Sequence, residues 1–204
     1  MTTTDIREMN TVTNILAGGL ADGPQTLLGI PQEVALALAE ARDQMNSLPG
    51  VIENLNLSFE RFHTVSTALH RMIELADLAS AEGLNDDERG LYNDEFVILA
   101  KIVAADAGRQ YYSGPRLNLL NQGEAQSAAK IISYMNPVIE TMGHELTEQK
   151  DLIHEVITET LNFLNVIIQC YPESEGVGRL SGLINQVSRQ SQYQPVSTTA
   201  GMLH

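Results

Sequence analysis

The chain has 204 residues, with 12 Lys+Arg against 26 Asp+Glu, for a formal net charge of −14. That surface is ill-suited to nucleic acid or to an anionic membrane as the main partner. Hydrophobic residues make up 43% of the chain, which excludes wholesale disorder, but aromatics are only 5% and Trp is absent, so a core must rest on Leu, Ile, Val, Ala and Met, a palette that favours helices.

Residues 1–33 read as largely irregular, because Gly18, Gly19, Gly23, Pro24, Gly29 and Pro31 interrupt them. A short helix fits from about Met9 to Leu16. The Ala/Leu/Glu-rich stretch from Glu33 to Met45 reads as a helix that ends near Pro49-Gly50. From Val51 to Ser80, the positions Ile52, Leu55, Phe59, Phe62, Ser66, Leu69, Ile73, Ala76 and Ser80 alternate steps of three and four, a sustained heptad pattern. Gly83 closes it.

Asn85 then has the character of an N-cap, with Glu88 three residues later as its capping-box partner and Asp86 and Asp87 suited to the positive end of the helix dipole. This helix is expected to run to about Ala107, with Leu91, Ile98, Ile102 and Ala105 along one face. Gly114-Pro115 marks a turn. Glu124 to Cys170 reads as a long helical region, kinked or broken at Asn136-Pro137. Beyond it, Ile139, Met142, Leu146, Gln149, Ile153, Val156, Thr160, Phe163 and Ile167 repeat the heptad spacing. Tyr171-Pro172 ends that helix, and Leu180 to Gln190 fits one more.

The expected organisation is therefore an N-terminal segment over 1–33, a helical rod over 34–170 and a C-terminal linker and terminal segment over 171–204. The fold class is all-α: an elongated antiparallel helical bundle or coiled-coil rod with irregular or short-helical termini. No apolar run approaches the roughly 20 residues that span a bilayer. The polar, Thr-rich stretch from Met1 to Ile15 lacks the features of a cleaved secretory signal. The protein either stays inside the cell or leaves by a route that needs no such signal.

The chemistry-bearing residues do not assemble into a reactive set. Glu60 and His63 have the ExxH spacing of di-iron bundles, and Asp151 and His154 are an Asp variant of it. The heptad register turns both pairs away from the core. His144-Glu145 is followed at the fifth position by Glu148, and His154-Glu155 by Thr158, so neither supplies the two histidines of a zinc-protease helix. Cys170 is the single cysteine; it excludes an internal disulfide and falls at a core-type heptad position as a small hydrophobe. Neither a nucleophile elbow nor a phosphate-cradling loop is found. We expect no catalytic residue, cofactor or metal. The heptad stripes serve an intramolecular core or leave a second face for partner helices, and the small polar Ser66, Ser80 and Thr160 are compatible with both.

The stretch Leu69-His70-Arg71-Met72-Ile73-Glu74-Leu75-Ala76-Asp77-Leu78-Ala79 resembles the Leu-Gln-Arg-Met-Arg-Glu-Leu-Ala-x-x-Ala segment of the bacterial flagellin family. Asn85 to Arg89 is similar to that family's polar loop, Asp94-Glu95-Phe96 to the start of the next helix, and Tyr111 to Leu117 to its Phe-Asn-Gly-x-x-Leu-Leu. Leu16 to Leu20 and the tail around Ser188 to Gln192 and Ala200 to Leu203 are fainter echoes. Ala21-Asp22-Gly23-Pro24 and Tyr171 to Gly178 stand where other family motifs would fall, and no outer variable domain fits between Leu120 and Glu124.

The resemblance implies a minimal structural subunit that self-assembles into an extracellular motility filament. It implies passage through the flagellar type III export apparatus without a cleaved signal peptide, with help from an export chaperone. Leu69, Arg71, Ile73, Leu75 and Glu95 are the residues it implies for subunit packing or for recognition by the flagellin-sensing Toll-like innate immune receptor, with Ile73 in place of a second arginine. A hook–filament junction protein, or a soluble helical-bundle adaptor of a secretion system with an acidic face for a basic partner, is the alternative.

Overall fold

The computed structural model describes residues 3–21, 29–106 and 117–193, with the side chains of Thr3 and Thr4 left aside. Asp22 to Pro24, the turn at Gly114-Pro115 and the tail from Ala200 to Leu203 lie outside the described residues. Of the described residues 85% are helical and none is in a strand, so the fold is an all-α helical bundle. Six helices follow one another: α1 (Thr3–Leu20), α2 (Gln32–Ala79), α3 (Asp86–Asp106), α4 (Gln122–Ser133), α5 (Asn136–Cys170) and α6 (Val177–Gln190). They form two compact units. One comprises Met1–Asn56 with Glu148–His204, the other Leu57–Thr147; α2 and α5 each run through both.

In the first unit α1 packs against α6. Ile6, Met9, Val12, Leu16 and Leu20 are buried on α1, and Val177, Leu180, Leu183, Ile184 and Val187 on α6, both at helical spacing. Helix α1 continues past the expected stop at Leu16, through Gly18 and Gly19, because Gly19 is where the partner helix approaches. A Cβ there would lie 2.3 Å from Leu183 Cδ1. The glycine weakens the helix by about 1 kcal/mol but admits the Leu183 side chain. Helix α6 starts three residues before the expected Leu180, led by Gly176 at φ 90°, in the left-handed region that favours glycine.

Helix α2 does not end at Pro49-Gly50: it is one helix of 48 residues with Pro49 inside it. An interior proline costs about 3 kcal/mol and removes one backbone donor. Burial offsets that cost, since Leu38, Ala41, Met45, Leu48, Ile52 and Leu55 keep one apolar face buried on both sides of the proline. The face contributed by α5 is Ile153, Ile157, Thr160, Leu161, Leu164 and Ile167. Cys170, expected in the core, is exposed; it sits in the last turn of α5, beyond Ile167.

The second unit has its own core. Val65, Ala68, Leu69, Met72, Leu75, Ala76 and Ala79 of α2 meet Phe96 and Val103 of α3, Ala125, Ala128 and Ile132 of α4, Leu119 before it and Ile139 of α5. The heptad expectation holds at Leu69 and Ala76 but not along the whole line. Phe62, Ile73, Ser66 and Ser80 are only partly buried, and Val65, Ala68, Met72 and Ala79 take the centre. Phe62 instead packs against α5 at Gly143, where a Cβ would lie 2.7 Å from the ring.

The start of α3 is the expected capping box, closed in both directions: Glu88 N–H donates to Asn85 Oδ1 at 2.8 Å, and Asn85 N–H donates to Glu88 Oε2 at 3.0 Å. Its apolar residues fall on two faces. Phe96 and Val103 point into the core, with Arg89 beside them, while Leu91, Ile98, Ile102 and Ala105 point outward. Arg89 ties off the C-terminal end of α2, donating to the carbonyls of Ala79 at 3.0 Å, Ala81 at 3.1 Å and Leu84 at 2.6 Å. Helix α4 starts two residues before the expected Glu124, capped by Asn121 Oδ1, which accepts from Glu124 N–H at 2.9 Å. The chain breaks at Tyr134-Met135, as the Asn136-Pro137 signal led us to expect.

Candidate interaction surfaces

Helices α2 and α3 bring Arg71 and Glu95 together across 24 positions of sequence. Arg71 Nε donates to Glu95 Oε1 at 2.7 Å and its Nη2 to Glu95 Oε2 at 3.1 Å, a bidentate fork, while Nη1 reaches Glu74 Oε2 at 3.0 Å. The hydrogen bond from Arg71 holds the Glu95 carboxyl below its ordinary value, and the two carboxylates raise the already high Arg71 value further. The cluster faces solvent, so its worth lies in geometry more than in energy.

The five residues implied by the resemblance divide between core and surface. Leu69 and Leu75 are fully buried and hold the unit together. Ile73 is partly buried against the same core. Arg71 and Glu95 alone of the five carry charge, and the two are paired with each other at the surface.

The residues weighed for metal chemistry stay apart. Glu60, His63, Asp151 and His144 are exposed, and among the described residues no group of three or more His, Cys, Asp or Glu comes together in a metal-holding cluster. His154 is engaged elsewhere: its Nδ1 lies 2.7 Å from Tyr193 Oη, and the two rings are 4.6 Å apart. Gln192 N–H donates to a Glu8 carboxylate oxygen in the same region. Burial pushes the Tyr193 phenol up, and the charges of Glu8 and Asp5 add to the effect. Sequence spacing gave no signal for this latch, because Tyr193 lies 39 positions from His154 and 185 from Glu8. Nearby, an open groove of about 560 Å³ runs between α1 and α6, lined by Thr11, Asn14, Gly18, Leu183 and Gln186 among others. Among the described residues no titratable side chain lines it.

Two outward apolar stripes stand out in the second unit. On α3, Leu91 is 73% exposed and Ile98 59%, in line with Ile102 and Ala105. The second stripe crosses from α4 to α5: Ile131, Tyr134, Val138 and Met142 are all exposed, Tyr134 at 68%, and follow one another at steps of three, four and four. Met142 is a correction to the expected core.

No protein-family model matches this chain, and no curated protein or solved structure is significantly similar to it. Among the described residues no helix is long and apolar enough to cross a membrane.

Proposed function

We propose that this protein is a structural subunit that assembles with copies of itself through helical packing, in the manner of the flagellins its central motifs resemble, and that it acts in an extracellular filament reached through a type III export route. The observation that carries the reading is the stripe Ile131, Tyr134, Val138 and Met142, an apolar line left open to solvent by a unit whose core is already complete. The Arg71–Glu95 fork supports it, because it binds together the two segments that carry the resemblance. Among the described residues no group of three or more His, Cys, Asp or Glu comes together as a metal-holding cluster to compete with it.

Negative-stain microscopy and light scattering of the purified protein test the proposal. Extended polymers are expected, with assembly that depends on salt because −14 charges per copy must be screened. The pair Val138→Ser and Met142→Ser should abolish polymer while circular dichroism stays unchanged. A protein that remains monomeric in every polymerising condition would refute the reading.

A further inference from the structure

The stripe on α3 differs from the one on α4 and α5 in what borders it. At 100° per residue, Leu91, Ile98, Ile102 and Ala105 fall within one outward sector. Asp87 and Asp94 lie along one margin, and Glu88, Glu95 and Asp106 along the other; all five are exposed. Lys101 is the basic exception on this face. Glu88 is committed to the Asn85 cap and Glu95 to Arg71. Asp87 and Asp94 make no ion pair among the described residues.

Helix α3 is thus apolar on two opposite sides. Phe96 and Val103 are fully buried inward, with Tyr92, Leu99 and Ala100 packed beside them, so the outward stripe is not needed to hold the helix in place. The Asp-lined margins decide the occupant. A second copy of a chain with net charge −14 would set carboxylates against carboxylates, whether it offered its own α3 or the α4–α5 stripe, which runs on to Glu145. Like charges brought together at a desolvated margin cost affinity and suppress pairing.

We infer that the outward face of α3 is the docking surface for a basic amphipathic helix of a partner protein. The partner's Leu, Ile or Phe side chains at i, i+7 and i+11 lie along Leu91, Ile98 and Ile102, and its flanking Lys or Arg residues meet Asp87, Asp94 and Asp106. From Leu91 to Ala105 the stripe extends about 21 Å at 1.5 Å per residue, so a partner helix of roughly four turns covers it. The surface uses different residues from those on which self-assembly rests, and it stands or falls independently of that reading.

The test uses the full chain and a fluorescein-labelled amphipathic peptide of Leu and Lys, roughly 16 residues long, followed by fluorescence anisotropy. Two control peptides carry Glu in place of Lys, or the same composition with the Leu positions scrambled. Saturable 1:1 binding is expected for the basic amphipathic peptide alone, weakening as salt is raised. Ile98→Ser with Ile102→Ser should weaken it about tenfold or more. Asp94→Asn with Asp106→Asn should weaken it less and flatten the salt dependence, and Val138→Ser with Met142→Ser should leave it unchanged. Because all these side chains are exposed, circular dichroism should match the parent. The proposal is overturned if either α3 double variant binds as the parent does, or if the acidic peptide binds equally well. It is also overturned if Ile98→Ser with Ile102→Ser disperses self-associated protein in sedimentation runs without peptide, since a second copy would then be the occupant.

Discussion

Helices α6 and α3 solve the same problem in different ways. On α6 the apolar residues Val177, Leu180, Leu183, Ile184 and Val187 are all buried, and the remaining surface is polar or glycine. On α3 the buried side is Phe96 and Val103, and an equal apolar investment at Leu91, Ile98 and Ile102 faces water. The first helix is satisfied within its own chain. The second fully buries only Phe96 and Val103 of its apolar side chains and leaves Leu91, Ile98 and Ile102 exposed. Comparing the two separates apolar residues that the fold buries from apolar residues that it leaves exposed.

The sharpest break in that comparison is a substitution on each side of α3. Phe96→Ala should cost about 3–5 kcal/mol, because it empties a fully buried ring site. Ile98→Ala, two residues on and exposed, should stay within about 0.5 kcal/mol. Urea unfolding followed by circular dichroism measures both; a large loss at Ile98 would show that α3 is held from its outward side after all.

Arg89 comes next. Its guanidinium satisfies the Ala79 carbonyl at the end of α2 and the Ala81 and Leu84 carbonyls in the turn that follows, so Arg89→Met should cost about 1–3 kcal/mol by leaving one buried and two part-buried acceptors unpaired. Arg89→Lys should recover only part of that, since an ammonium cannot reproduce the fork. On the α6 side, Gly19→Val should cost about 1–3 kcal/mol by forcing Leu183 aside. Gly18→Ala, where a Cβ meets nothing within 4 Å, should be neutral or slightly stabilising.

The smallest effect belongs to pH. The Glu95 carboxyl is held low by Arg71, so its contribution is fully present above the ordinary carboxylate range and is lost as the pH falls through its depressed value. Glu95→Gln should therefore flatten the acid limb of the stability curve and leave the region near neutrality almost untouched, because the pair is open to solvent. A fully unchanged acid limb would show that the fork carries no linkage.

What could be read in advance follows a physical divide. The Asn85–Glu88 capping box and the break before Asn136-Pro137 were legible because their partners lie within four residues of each other, and such signals do not depend on the rest of the fold. The buried side of α3 was not legible. Two apolar sets, Leu91/Ile98/Ile102/Ala105 and Phe96/Val103, both repeat at helical spacing, and periodicity reports a helix without saying which stripe faces inward. Pro49 misled for a related reason: local propensity favours a stop, and a buried face running from Leu38 to Leu55 overrides it. The surface pair Arg71–Glu95 was reached through the flagellin-like motifs, which brought its two members to one patch but left their direct contact for the structure to show. The Arg89 fork and the Tyr193–His154 latch left no trace in spacing, because each depends on tertiary proximity.

The packing of α1 on α6 also has a consequence for synthesis. Gln192 and Glu8, which meet in this unit, are 184 positions apart. A ribosome delivers Ile6, Met9, Val12, Leu16 and Leu20 well before their cover, from Val177 to Val187. Throughout that interval the apolar side of the first helix is bare. Contacts of such high sequence separation form slowly and expose the nascent chain to aggregation. A holding factor for the emerging N-terminal helix should therefore matter most for this protein, and a circular permutant that joins α6 directly to α1 should fold faster than the natural order.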